Sequence, residues 1–130
     1  MPDERIPDDE IIYRRIPPLH DFFEEPDRVT SANYKLDQRN AEFGLSVYRA
    51  SVVTSEEVLQ KPEAIAHSRI AAARVGEVRT LCGGDGQHLR LDVIVVDDEN
   101  DPGHAEIRGP QPGQLARSAT KALQRLFRLI

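Results

Sequence analysis

The chain has 130 residues, 39% of them hydrophobic and 30% charged, with no Trp and a formal net charge of −5. That length fits one globular domain with a modest core, and the acidic balance argues against generic nucleic-acid binding, which neutralises phosphates with Lys and Arg. The single cysteine, Cys82, excludes an intrachain disulfide and a Cys-based structural zinc site.

The chain opens on "MPDERIPDDE", which is acidic and unlike a signal peptide. No apolar run approaches the roughly 20 residues of a membrane span, so the expected compartment is the cytoplasm. Residues 1–9 show no apolar period and read as a flexible acidic tail, leaving 10–130 as a single domain. "EIIYRRI", 10–16, is short and β-branched and is stopped by Pro17 and Pro18, so it predicts a strand. Its alternation puts Ile11, Tyr13 and Arg15 on one face and Ile12, Arg14 and Ile16 on the other. "LHDFFEEPD" predicts a loop or one helical turn, "RVTSANYKL" (28–36) a short strand or extended segment, and "DQRNAEFG" a turn or loop.

"LSVYRASVV", 45–53, carries apolar residues on both faces and predicts a central strand. Thr54 and Glu57 have the spacing of a capping box, so a helix begins at 54 or 55, and Pro62 keeps it short. "IAAARVGEVRTL", 70–81, predicts a strand to 75 and a helical turn near 77–80. "CGGDG" predicts a turn. "QHLRLDVIVVDD", 87–98, predicts a strand that returns through an acidic loop as "HAEIRG", an antiparallel hairpin. "GQLARSATKALQRLFRLI" predicts a helix with Leu115, Ala119, Ala122, Leu123, Leu126 and Ile130 on its apolar side. Arg117, Lys121, Arg125 and Arg128 form the opposing basic stripe. The expected fold is α+β, with a mixed or mostly antiparallel sheet and the C-terminal amphipathic helix packed on one face.

Several residue sets suit chemistry. Arg14 can hold a pyrophosphate through charge-assisted hydrogen bonds. Tyr48 can stack on a nicotinamide ring, and a glutamate at the helix start, Glu56 or Glu57, can stabilise a developing cation. A capping Glu57 is already engaged, so Glu56 is the better candidate. His104 and Glu106, two apart on a strand, share a face and suggest a divalent-metal hydrolase, but they supply only two ligands. A third would have to come from His20, His67 or His88. Asp97, Glu99 and Asp101 alternate as in a calcium loop, yet Pro102 and Arg108 stand where an EF-hand needs Gly and Glu. The glycines of "CGGDG" lack the Gly-Lys-Ser/Thr of a P-loop. No motif calls for a cofactor.

The order of Arg14, Tyr48 and a following Glu resembles the RES-type and ADP-ribosyltransferase-like NAD-consuming families. "TSANYK" departs from their pattern, because no Gly-Gly-Arg segment precedes the middle strand. "YRRIPP", "TSANYK…GLSVYRAS" and "DPGHAEIRGP", followed by a basic helix, also resemble a group of small uncharacterised bacterial proteins that share this order. That resemblance draws attention to Arg14, Ser31, Ser46, Tyr48, Asp101 and His104 without implying a mechanism. The leading expectation is a cytoplasmic bacterial accessory or regulatory module that binds a protein partner. The competing one is an enzyme that handles a nucleotide or NAD.

Overall fold

The computed structural model describes residues 5–25, 28–36, 44–96 and 99–130. Six strands form the main sheet: β1 (Ile11–Ile16), β4 (Leu45–Arg49), β5 (Arg69–Arg74), β6 (Asp92–Val95), β7 (His104–Arg108) and β8 (Arg128–Leu129). Their order is β6-β7-β4-β1-β5-β8, and every neighbouring pair is antiparallel. A second, two-stranded sheet joins β2 (Phe23–Glu25) to β3 (Arg28–Val29). The helices are α1 (Ser55–Leu59), α2 (Val75–Arg79) and α3 (Arg117–Leu126), with single 3-10 turns at His20–Phe22 and Ser31–Tyr34. The fold is α+β, as the sequence predicts, and α3 packs on one face of the sheet. Among the described residues no helix is long and apolar enough to cross a membrane.

The strand alternation sorts the two faces. Ile12, Ile16, Leu45, Val47, Ala71, Ala73, Val93, Ala105 and Ile107 point to the main core, where they meet Leu123 and Phe127. Burying a large aliphatic side chain of this kind contributes about 1.5–3 kcal/mol. Tyr34, at the end of the second 3-10 turn, fills the space beside α3, its ring 5.3 Å from that of Phe127. The opposite face carries Tyr13, Tyr48 and Ile70. With Val53 and Val58 these form a smaller cluster under α1.

The cap at α1 forms as the sequence predicts. Thr54 Oγ1 accepts from the Glu57 amide at 3.1 Å, and Glu57 Oε1 accepts from the Thr54 amide at 3.0 Å. Other elements differ from expectation. The strand at 45 ends at Arg49 rather than 53, because the Val52 and Val53 amides turn back to the Arg49 carbonyl. The strand at 87 is cut to Asp92–Val95, because Arg90 adopts φ 56°, a left-handed geometry that a ladder does not accommodate. The helix at the C-terminus stops at Leu126. Phe127 is extended, and Arg128 with Leu129 adds β8 to the sheet edge, so Arg128 and Ile130 leave the helix.

The segment before β1 is part of the fold from residue 5 onward; 1–4 lie outside the described residues. The sequence reading set 1–9 apart as a tail, but Ile6 is fully buried in the main core. Arg79 grips this segment, donating to the Ile6 carbonyl and the Asp8 carboxylate at 2.6 Å each, while its Nε bonds Asp92. The Asp8 and Glu10 carbonyls accept from the first amides of α2. The Glu10 carboxylate takes Arg49 Nε at 2.9 Å and the Ser51 hydroxyl.

Candidate functional site

Ser46 and Tyr48 alternate on β4, so they share a face, and the register sets Tyr48 opposite His104 and Ser46 opposite Glu106. The four side chains therefore stand together on the sheet face away from α3. Ser46 Oγ lies 3.0 Å from His104 Nε2. The Tyr48 hydroxyl donates to Asp101 Oδ2 at 3.1 Å, and Lys61 Nζ donates to Oδ1. Asp101 Oδ2 is 3.9 Å from His104 Nδ1, on the side of the ring away from Ser46. The Lys61 ammonium also sits 4.8 Å from the centre of the Tyr48 ring, a cation–π contact. Gly103 makes the turn before His104 possible, with φ +83°.

Burial, and after it the adjacent Asp101 carboxylate, pushes the Tyr48 phenol above its ordinary range. Tyr48 therefore remains a proton donor to Asp101. Burial likewise raises Tyr34, against the opposing pull of Arg14. The constellation joins two regions far apart in the chain, β4 with the segment after α1, and the end of the β6–β7 loop with β7.

Arg14 belongs to the core side of β1. Only Ile12 and Tyr13 pair with β4, so the two strands part beyond Tyr13. The Arg14 guanidinium fills the gap, donating to the Ser46 carbonyl at 2.8 Å and the Asn33 carbonyl at 2.7 Å. The Asn33 side-chain amide beside it is buried and makes no well-formed hydrogen bond among the described residues. Arg14 is thus linked to the Ser46 backbone but does not share a cleft with Tyr48 and His104. Glu56 is exposed on α1, and Glu57 is engaged in the cap. The trio proposed for NAD chemistry does not converge.

His104 and Glu106 do share a face, but Glu106 is bonded to Arg108 at 2.7 Å and His104 to Ser46. Among the described residues no group of three or more His, Cys, Asp or Glu side chains is placed to hold a metal ion. His88 bonds the Arg79 carbonyl, and His20 is exposed beside Asp21. Asp97 lies outside the described residues.

The basic stripe is redistributed. Arg117, Lys121 and Arg125 remain along the exposed side of α3. Arg125 and Arg128 instead meet Arg28 and Arg69 around a groove of about 650 Å³, whose floor includes Val29, Phe127 and Leu129. Gln124 fixes one wall by donating to the Val29 carbonyl at 2.9 Å. Arg28 is ion-paired with Glu24 at 3.3 Å. The side chains of Arg125 and Arg128, both exposed, make no hydrogen bond or ion pair among the described residues.

Comparison with protein-family models, with curated proteins and with solved structures returns no match. The functional reading therefore rests on geometry. Sequence reasoning missed Lys61, Arg28 and Arg69 altogether; it marked Ser46 only through a resemblance, and Asp101 through that resemblance and as part of a calcium-loop alternation. The Ser46/Tyr48 alternation was a usable signal. Nothing local announced that β7 pairs with β4, or that β3 and the start of β5 meet the end of α3.

Proposed function

We propose that the protein is a binding module that docks an acidic segment of a protein partner in the arginine groove. The observation that carries this reading is the gathering of Arg28, Arg69, Arg125 and Arg128 around one open groove on a chain of net charge −5. Arginine suits the role because its planar fork matches a carboxylate and its weakly hydrated cation tolerates partial burial. The apolar floor favours a peptide, whose side chains supply both carboxylate and methylene surface. A nucleic-acid strand would have to run past the groove onto the acidic body. The nucleotide-handling alternative loses support, since the Arg14 guanidinium is already spent on two backbone carbonyls.

The test is fluorescence anisotropy with a labelled oligo-glutamate peptide, a glutamine peptide of equal length and a single-stranded oligonucleotide. The glutamate peptide should bind at low salt, weaken as salt rises, and be lost in the double variant Arg125→Glu/Arg128→Glu. Arg117→Glu serves as the control. It lies eight residues before Arg125 on the helix, about 12 Å along the axis, so the variants are compared at about 0.15 M ionic strength, where the Debye length of about 8 Å is shorter than that separation. Equal binding by the double variant, or tighter binding of the oligonucleotide than of the glutamate peptide, would overturn the reading.

A further inference from the structure

On the sheet face away from α3 lies a second constellation that the docking reading does not use. Ser46 Oγ, the His104 ring and the Asp101 carboxylate stand in line, 3.0 Å and 3.9 Å apart. A serine hydroxyl becomes a nucleophile when a neutral imidazole takes its proton and a carboxylate on the far ring nitrogen holds the ring and its tautomer. Each part of that requirement has a residue here. The antiparallel register fixes Ser46 and His104 on adjacent strands, so their separation does not depend on a loop. Asp101 is held on both oxygens, Oδ1 by Lys61 and Oδ2 by the Tyr48 hydroxyl, and Oδ2, which can accept a second hydrogen bond, is also the oxygen nearest His104 Nδ1. All three are partly covered, with side-chain exposures of 16% for His104 and 22% for Asp101. Partial burial strengthens the field of the carboxylate on the ring. The 3.9 Å separation exceeds a hydrogen bond; catalytic contacts are often long without substrate and shorten when it binds.

We propose that Ser46 is an acyl-accepting nucleophile, with His104 as its general base and Asp101 as the positioning residue, and that the substrates are carboxylic esters. Ser46 Oγ adds to the ester carbonyl as its proton passes to His104 Nε2. The carbon–oxygen bond to the alcohol breaks, and the alcohol leaves with that proton. Water then adds to the acyl-serine, giving a proton to His104. The acid leaves, and Ser46 regains its proton from the imidazole. The balance is ester plus water to acid plus alcohol, with no redox partner.

The experiment uses a fluorophosphonate probe on the whole protein, read by intact mass and peptide mapping. The Ser46 oxygen displaces fluoride from phosphorus, so one adduct should appear on the Ser46 peptide and none in Ser46→Ala. His104→Gln should slow labelling by about 100-fold or more, the scale of a lost general base. Asp101→Asn should slow it less and move the pH at which the rate levels off. Circular dichroism checks that each variant folds. If His104→Gln does not fold, the wild-type pH profile decides. A rate that levels off after a single ionisation in the histidine range supports the relay, and a rate first-order in hydroxide overturns it. Labelling of Ser51 or Ser55 as fast as Ser46, or no adduct on Ser46 at all, also overturns it.

Discussion

Arg14→Ala separates a structural arginine from a ligand-binding one. In the fold Arg14 replaces a missing stretch of ladder, holding the Ser46 and Asn33 carbonyls where β1 and β4 part. Each bond comes from a charged donor, a class that contributes about 1.5–3 kcal/mol net. Removing the guanidinium leaves two partly buried carbonyls without a partner. Water entering the gap recovers some of that, so the expected loss is about 3 kcal/mol, near the lower end of the range for two such bonds. Small domains have about 5–15 kcal/mol in total, so the variant remains folded but visibly weakened. With a urea m-value of about 1.5 kcal/mol/M, the unfolding midpoint should fall by about 2 M. Arg14→Lys should recover only part of the loss, because an ammonium lacks the planar fork that spans two acceptors. A loss below about 0.5 kcal/mol, the scale of an ordinary surface substitution, would refute the structural role. Calorimetry with NAD on the wild type is the companion measurement, and no heat is expected.

Thr54→Ala removes the cap of α1 and should cost about 1 kcal/mol in urea unfolding. Leu123 is fully buried against the sheet, so Leu123→Ala should cost about 2–5 kcal/mol, and Leu123→Asp should abolish the cooperative thermal transition by burying an unpaired charge. Tyr34 and Tyr48 both hold their protons above the ordinary tyrosine value of about 10. The unfolded chain therefore releases those protons first. Their contribution is intact below about pH 10 and is lost as pH rises further. Tyrosinate absorbance should show both ionising only as the protein unfolds, and Tyr34→Phe should make the alkaline decline shallower.

What was legible in the sequence was what depends on neighbours along the chain. The capping box needs only Thr54 and Glu57, three residues apart, and it formed as expected. The alternation of 10–16 is equally local and is present, and the switch from strand to helix expected between 75 and 77 comes one to two residues earlier, with β5 ending at Arg74 and α2 opening at Val75. The failures involve partners far away. Ile6 looks like an isolated apolar residue in an acidic segment until Arg79, seventy-three residues later, pins its carbonyl. Arg128 fits a helical stripe by period, but the unpaired edge of β5 offers "RL" a ladder, and a short apolar run fits both templates. The site suffered the same way. Tyr48 and His104 stand on the same candidate list, but only the β4–β7 register makes them neighbours.

That register also bears on how the two faces of the sheet communicate. Ser46 is bonded from both directions: its carbonyl accepts from Arg14 at the gap toward β1, and its hydroxyl meets His104 on the opposite strand. If Arg14 set the position of the hydroxyl, a fault on the core side would disable the relay. The ladder argues against this. Leu45, Ser46, Val47 and Tyr48 are all in register with β7, and Gly44 lies so close to that strand that an added Cβ would stand 2.7 Å from the Ile107 carbonyl. The backbone of Ser46 is therefore held by β7, the strand that carries His104, more than by Arg14. Arg14→Ala should lower stability while leaving the fluorophosphonate labelling rate of the folded protein unchanged, measured in the cold and without denaturant, where the folded form dominates. A labelling rate that drops while circular dichroism still reports a native fold would mean that Arg14 positions the nucleophile, and that the gap between β1 and β4 belongs to the site.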